Sequence, residues 1–267
     1  TGEQNNAGNS TEQVDIDCWQ LPLGEPDDTR VIAAGQSHYF RIPDVPAGET
    51  FVVSLDFAVD ASIAELYVRH AQVPDRGQYD VASEDPFASD HEVVVSSAQP
   101  GTYYVMGYAA AVGSGSPTAG DTVSADLLPF EIRNIAPNRG GASGKVTVRV
   151  NGGQFSREVE ARLSADGQAV AAAESVHVVN AAELYATFDL RGVEVGIYDV
   201  ELEKPGAGTV RLEQGFEVVA GIGPVVEAHL LVPPLVRWGE EAVLWIEYEN
   251  VGDNDAAPVY FELVNDR

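Results

Sequence analysis

Apolar and polar residues alternate with a period of two in run after run of this chain. In "TFVVSLDF" Phe51, Val53, Leu55 and Phe57 share one side, and in "AELYVRH" Leu66 and Val68 oppose Glu65, Tyr67 and Arg69. Farther along, Val146, Val148 and Val150 alternate with Lys145, Thr147 and Arg149. Leu184, Ala186 and Phe188 alternate with Tyr185, Thr187 and Asp189, and Tyr198, Val200 and Leu202 with Asp199, Glu201 and Glu203. Successive side chains of a strand point to opposite faces, so this pattern predicts half-buried antiparallel strands. The pieces between them, such as "PDVPAGE", "PDRGQYD" and "SEDPFASD", are rich in Pro, Gly, Asp and Ser, which break regular structure. The expected fold class is all-β, a series of antiparallel β-sandwiches.

One stretch departs from the alternation. In "AQPGTYYVMGYAA", residues 98–110, Pro100-Gly101 sets a turn and the aromatic run favours a strand. Tyr103, Val105 and Gly107 then share one face, and Tyr104, Met106 and Tyr108 the other, and neither face is polar. The second face needs cover from "CWQLPL" near the N-terminus, from the next domain, or from another copy of the chain. Left uncovered, it is an interaction site, because monomers rarely leave a large contiguous apolar area exposed. Tyr104, Met106, Tyr108, Cys18 and Trp19 are the interaction candidates.

The length of 267 residues suggests two domains or three. Residues 1–29 read as a polar leader and extended segment, 30–128 as a first sandwich or jelly roll, and 129–220 as an immunoglobulin-like sandwich. Within the first, "GSGSPTAGD" (113–121) reads as a flexible loop before a last strand, "TVSADLL". Residues 221–267 offer three strands, "VEAHLLV", "AVLWIEY" and "PVYFELV", which is too few for an independent core. Either the chain ends inside a longer protein, or another molecule supplies the missing strands.

Charge narrows the partners. The formal net charge is −27, with 42 acidic and 15 basic residues. Residues 1–128 hold 20 acids and 4 bases, 129–220 hold 13 and 9, and 221–267 hold 9 and 2. Nucleic acid is excluded on this ground, since its binding rests on cations neutralising phosphate, and an anionic membrane surface is disfavoured likewise. A single cysteine, Cys18, cannot form an intramolecular disulfide, so it is either a small buried hydrophobe or one half of an intermolecular bridge. No apolar run reaches the length of a membrane span.

Candidate chemistry is sparse. The five histidines, at 38, 70, 91, 177 and 229, include no helical zinc spacing, and His91 reads as an exposed residue at a strand edge. Ser114 and Ser116 lie in a loop without the strand-to-helix setting of a nucleophile elbow. "NRGGASGK" lacks phosphate-loop spacing and precedes a strand. The acid-rich stretch with Asp75, Asp80, Glu84, Asp85 and Asp90 is the best metal candidate, for calcium, against the alternative of a solvated acidic loop. "GDNDAAP" at 252–258, with Asp253 and Asp255, reads as a turn between strands.

Residues 35–108, with "GQSHYFRIPDVPAGETFVVSL", "AELYVRHAQVPDRGQYD" and "AQPGTYYVMGYA" in that order, resemble the bacterial pre-peptidase C-terminal domain, known as PPC. That resemblance implies a compact sandwich appended to secreted peptidases and surface proteins. Residues 131–219, through "IRNIAPNRGGASGKVTVRVNGGQF", "GIYDVELEKPG" and "GFEVV", look like an immunoglobulin-like domain of the IPT/TIG kind. Residues 225–264, through "VRWGEEAVLWIEYENVGDNDAAP", resemble the first half of a CARDB-type module. None transfers a catalytic residue. The resemblances imply a non-catalytic structural or adhesive region of a secreted or cell-surface bacterial protein, self-associating into a fibre or matrix. The alternative is an accessory arm of a secreted peptidase whose catalytic domain lies elsewhere. Partners are then other proteins or copies of the chain, with no cofactor.

Overall fold

In the computed structural model, residues 17–59, 61–83, 85, 87–113, 118–233, 239, 241–262 and 264 are described. Glu84, Ser114, Ser116 and the leader up to residue 16 lie outside them. The described structure is all-β, and the chain divides into two compact units, Thr1–Leu127 and Leu128–Arg267.

The first unit holds β1 (Trp19–Gln20), β2 (Asp27–Ala33), β3 (Ser37–Val45), β4 (Phe51–Phe57), β5 (Ile63–His70), β6 (Val81–Ala82), β7 (His91–Val95), β8 (Gly101–Ala111) and β9 (Thr118–Leu127). They form two sheets, ordered β1-β3-β8-β5-β6 and β2-β9-β4-β7. All pairings are antiparallel except β1 with β3. The alternation places one side of each strand in a common core, where Phe40, Phe51, Leu55, Leu66, Val68, Val105 and Val123 are almost fully buried. The layers touch directly, with the rings of Phe51 and Tyr103 at 5.1 Å. A Cβ on Gly107 would sit 3.4 Å from Leu55.

The second unit holds β10 (Glu131–Ala136), β11 (Arg139–Gly141), β12 (Lys145–Gly153), β13 (Glu160–Ala165), β14 (Gln168–Asn180), β15 (Glu183–Asp189), β16 (Gly196–Lys204) and β17 (Gly208–Val219), then β18 (Val226–Leu231) and β19 (Trp245–Asn250). The strands from β10 to β17 form one sheet, ordered β10-β12-β15-β14-β13-β16-β17-β11. Long β14 joins its two halves, pairing with β13 through Gln168–Ala172 and with β15 through Ala173–Asn180. Register shifts interrupt it near Ala173 and Val178, where bulges let a strand bend. Strands of both halves fill one core around Val148, Leu163, Leu184, Phe188, Val200 and Phe216. Among the described residues the strands β18 and β19 pair only with each other.

Two expectations fail. Thr118–Asp121, read as loop, belongs to β9 and pairs with Arg30–Ala33, because the open edge of β2 offers these residues a backbone ladder that outweighs the breaking tendency of Gly120. "PVYFELV" forms no strand among its described residues. Tyr260 is 96% exposed, and Phe261 meets β19 through its ring, 5.3 Å from that of Tyr248.

Candidate interaction surface

On the outward side of the first unit's five-stranded sheet, backbone pairing aligns side chains in three rows. Ser37, Tyr108 and Glu65 form one, Tyr39, Met106 and Tyr67 the next, and Arg41, Tyr104 and Arg69 the third. Strand alternation therefore brings together residues that are far apart in sequence. Met106 is 2% exposed, set between two tyrosines across the sheet and two along its own strand. It is the floor of this face, while Tyr104 and Tyr108 remain half-buried.

The loop of residues 75–79 folds back over part of the face. The Arg76 guanidinium lies 4.8 Å from the Tyr108 ring centre and donates to both oxygens of Glu65, each at 2.7 Å. Tyr67 also donates to Glu65 at 2.7 Å, and its ring meets that of Tyr79 at 5.0 Å. Burial and the bond to Glu65 push the Tyr67 phenol above its ordinary pKa, so it stays a neutral donor. Cover for the tyrosine strand thus comes first from its own sheet and this loop.

The "CWQLPL" segment goes elsewhere. Leu21 is fully buried and Trp19 packs on the core. There the Trp19 ring meets the edge of His38 at 5.0 Å and carries Arg30 4.0 Å from its centre. His38 in turn bonds Asp121 across the two layers at 2.9 Å. Cys18 is half-buried, and burial, partly offset by Arg41, raises its thiol pKa, which leaves it protonated and a weak nucleophile. Gln20 reaches the tyrosine face, in register with Arg41, whose charge also acts on Cys18.

The described aspartates of the acid-rich stretch accept from backbone amides. Asp75 accepts from Gly77 and Gln78, Asp80 from His70, Asp85 from Phe87 and Asp90 from Phe57. Among the described residues no three His, Cys, Asp or Glu side chains gather as a metal site would require. His91 does lie on an edge strand, yet it is 5% exposed, a correction to the expected exposed residue. Its Nδ1 meets Ser83 Oγ at 2.6 Å and its Nε2 meets the Ala88 carbonyl at 3.1 Å, so both ring nitrogens have partners. "NRGGASGK" runs from the end of the β10–β11 turn into β12, with no helix to receive a phosphate.

A second polar constellation, in the second unit, was read from sequence as a plain turn. Asp253 accepts from the amides of Ile222 and Gly223 at 2.9 Å each, and its carbonyl accepts from Gly141 at 2.9 Å. Asn254 is 4% exposed; it donates to the Gly141 carbonyl at 2.7 Å and accepts from Ser143 at 2.6 Å. Asp255 accepts from the Thr147 amide at 3.0 Å and hydroxyl at 2.7 Å. Gly141 is required by this approach, since a Cβ there would lie 2.6 Å from Asp253 and 2.7 Å from Asn254. The sequence signal was an Asp-Asn-Asp run whose short side chains cap amides well. Its targets lie 30 and 31 residues earlier, at Gly223 and Ile222, and 108 to 113 residues earlier, at Gly141, Ser143 and Thr147, beyond the reach of a local pattern.

No family model matches this chain, and no curated protein does. Among solved structures, the pre-peptidase C-terminal domain of a collagenase from Bacillus anthracis is similar over 42% of this chain and 98% of that one, at 13% identity and a TM-score of 0.32. Domains 5–6 of the S-layer protein SbsC are similar over 73% of this chain and 95% of that one, at 15% identity and a TM-score of 0.21. At these scores neither likeness carries an argument.

Proposed function

We propose that this chain is a non-catalytic structural arm of a secreted or cell-surface modular bacterial protein, with an IPT/TIG-like domain over 131–219 and a CARDB-type segment after it. One observation carries the reading: the bonds from Asp253, Asn254 and Asp255 to Gly141, Ser143, Thr147 and the 222–223 amides fasten the β18–β19 ribbon to the preceding sandwich. Such a joint serves an element that must hold position under load. A buried, fully bonded asparagine is expensive to undock, because each lost partner leaves a desolvated polar group.

The test is single-molecule pulling of the 267-residue chain between its ends. Wild type should show a discrete, low-extension rupture of the ribbon before sandwich unfolding, and Asn254→Ala should lower that rupture force. A ribbon that yields without resistance in wild type would overturn the structural reading. Turnover of any peptide, ester or glycoside by the purified chain would overturn the non-catalytic part.

A further inference from the structure

Residues 1–128 contain four basic residues, Arg30, Arg41, Arg69 and Arg76, and three of them, with five of the chain's ten tyrosines, stand on or over the outward face of the five-stranded sheet. Arg30 is paired with Asp27 and Arg76 with Glu65. Arg41 and Arg69 are different. Directly flanking Tyr104 in the same row, they hydrogen-bond to amide side chains among the described residues. With its amide turned to satisfy both groups, Gln20 accepts from Arg41 Nε at 2.9 Å, and Gln78 Oε1 faces Arg69 at 3.4 Å. Among the described residues neither has an ion-pairing carboxylate, in a chain with 42 acids.

We infer that the Arg41–Tyr104–Arg69 row is a docking site for a carboxylate presented by a polypeptide of net positive charge. Two guanidinium forks suit carboxylate oxygens, and the phenol between them adds a donor. Arginine and tyrosine over a buried Met106 floor is the composition of energetic centres in protein interfaces. Neighbouring strands lie roughly 4.8 Å apart, so the two arginine Cα atoms, two strands apart, span about 10 Å, within reach of one side chain from a partner segment.

Whole-chain charge selects among carboxylate bearers. A uniform polyanion and a second copy of this chain are both repelled by a net charge of −27, whereas a cationic polypeptide is drawn in at long range and then needs one acidic residue at contact. The inference stands apart from the proposed structural role and survives its failure.

The experiment is NMR titration of the whole chain, read at the arginine Nε signals. N-acetyl-aspartate methylamide should shift Arg41 and Arg69 selectively, with a dissociation constant on the order of 10 mM as befits a single small contact, while the asparagine analogue should not. Arg41→Gln with Arg69→Gln should abolish the shift while leaving the remaining amide spectrum folded. The peptide Ac-Lys-Gly-Asp-Gly-Lys-amide should then bind about tenfold more tightly than Ac-Glu-Gly-Asp-Gly-Glu-amide at low salt, with the gap closing as salt screens it. Shifts spread evenly over all arginines, or none, would overturn the site. Tighter binding of the all-acidic peptide or of polygalacturonate would overturn the partner. So would self-association in sedimentation that the double variant removes, since the occupant would then be a second copy.

Discussion

The strands β12 and β19 are written in similar alternation and meet opposite fates. In β12, Val146, Val148 and Val150 are at most 2% exposed, because β13, β16 and β17 supply a facing layer. In β19, Trp245, Ile246 and Tyr248 are 67%, 44% and 64% exposed, although the strand is fully paired with β18. Period two specifies a strand; burial takes a second sheet. The ribbon is therefore held mainly by polar bonds through residues 253–255, and the sandwich by apolar packing.

The largest test of that contrast compares one aromatic from each. Phe188 is fully buried in the sandwich core, so Phe188→Ala should cost about 3–5 kcal/mol in denaturant unfolding. Trp245→Ala should change stability by no more than about 0.5 kcal/mol, as at other exposed sites. Similar costs at the two positions would erase the distinction.

A buried polar position on the face of β16 opposite the core comes next. Glu201 is 3% exposed and bonded to Ser164 at 2.8 Å, with Arg162 and Arg211 each at 2.6 Å. Burial alone would raise its pKa, but the hydroxyl and the two guanidinium groups outweigh it and hold the carboxyl below its ordinary value. A depressed folded pKa gives stability that is complete above the ordinary value of 4.5 and is lost as pH falls through the lower folded one. Glu201→Gln should cost about 2 kcal/mol at pH 7 by chemical denaturation. The difference from wild type should shrink below pH 4.5; a gap that widens there would mean the carboxylate is not the stabilising form.

The joint offers a smaller, local effect. Asn254→Ala removes three side-chain bonds, to Ser143, Gly141 and Lys145, from a buried site and should loosen the ribbon by about 1–3 kcal/mol. Hydrogen exchange should quicken at Val226–Leu231 and Trp245–Asn250 and stay unchanged at Val146–Val150. Uniform acceleration would place Asn254 in the sandwich's own stability instead.

Much of this was legible in the sequence where the signal is local. Alternation in 51–57, 64–70 and 145–150 assigned strands and inward faces correctly, because one residue's face follows from its neighbour's. Pairing partners are not local. Nothing in "TYYVMGY" says that Arg41 and Arg69 will flank Tyr104, or that Met106 will be floored between Tyr39 and Tyr67. The "CWQLPL" segment is one of three covers the sequence allows for the tyrosine face; Trp19 packs on the core, and a two-residue parallel strand carries no periodicity to fix its side. His91 was missed for a related reason: an edge strand buries one face as fully as a central one, and its Ser83 partner lies across a loop.

The smallest effect belongs to Asp189, at the end of β15 beside the turn into Leu190. Its carboxylate accepts from the Arg191 amide at 3.1 Å and from Arg191 Nε at 2.9 Å, and these bonds lower its pKa from 3.8 to about 2. The stabilisation is present above pH 3.8 and disappears as pH falls through about 2. A side-chain carboxyl titration by NMR should find this midpoint well below that of ordinary aspartates. Arg191→Gln should return it most of the way, since the guanidinium bond is the leading cause and the backbone amide remains. The pair is exposed and screened, so its loss should shift the acid limb of sandwich unfolding without altering the ribbon's exchange rates. If Arg191→Gln speeds exchange in β18 and β19 as well, the two regions share one cooperative unit and the contrast between them is one of burial alone.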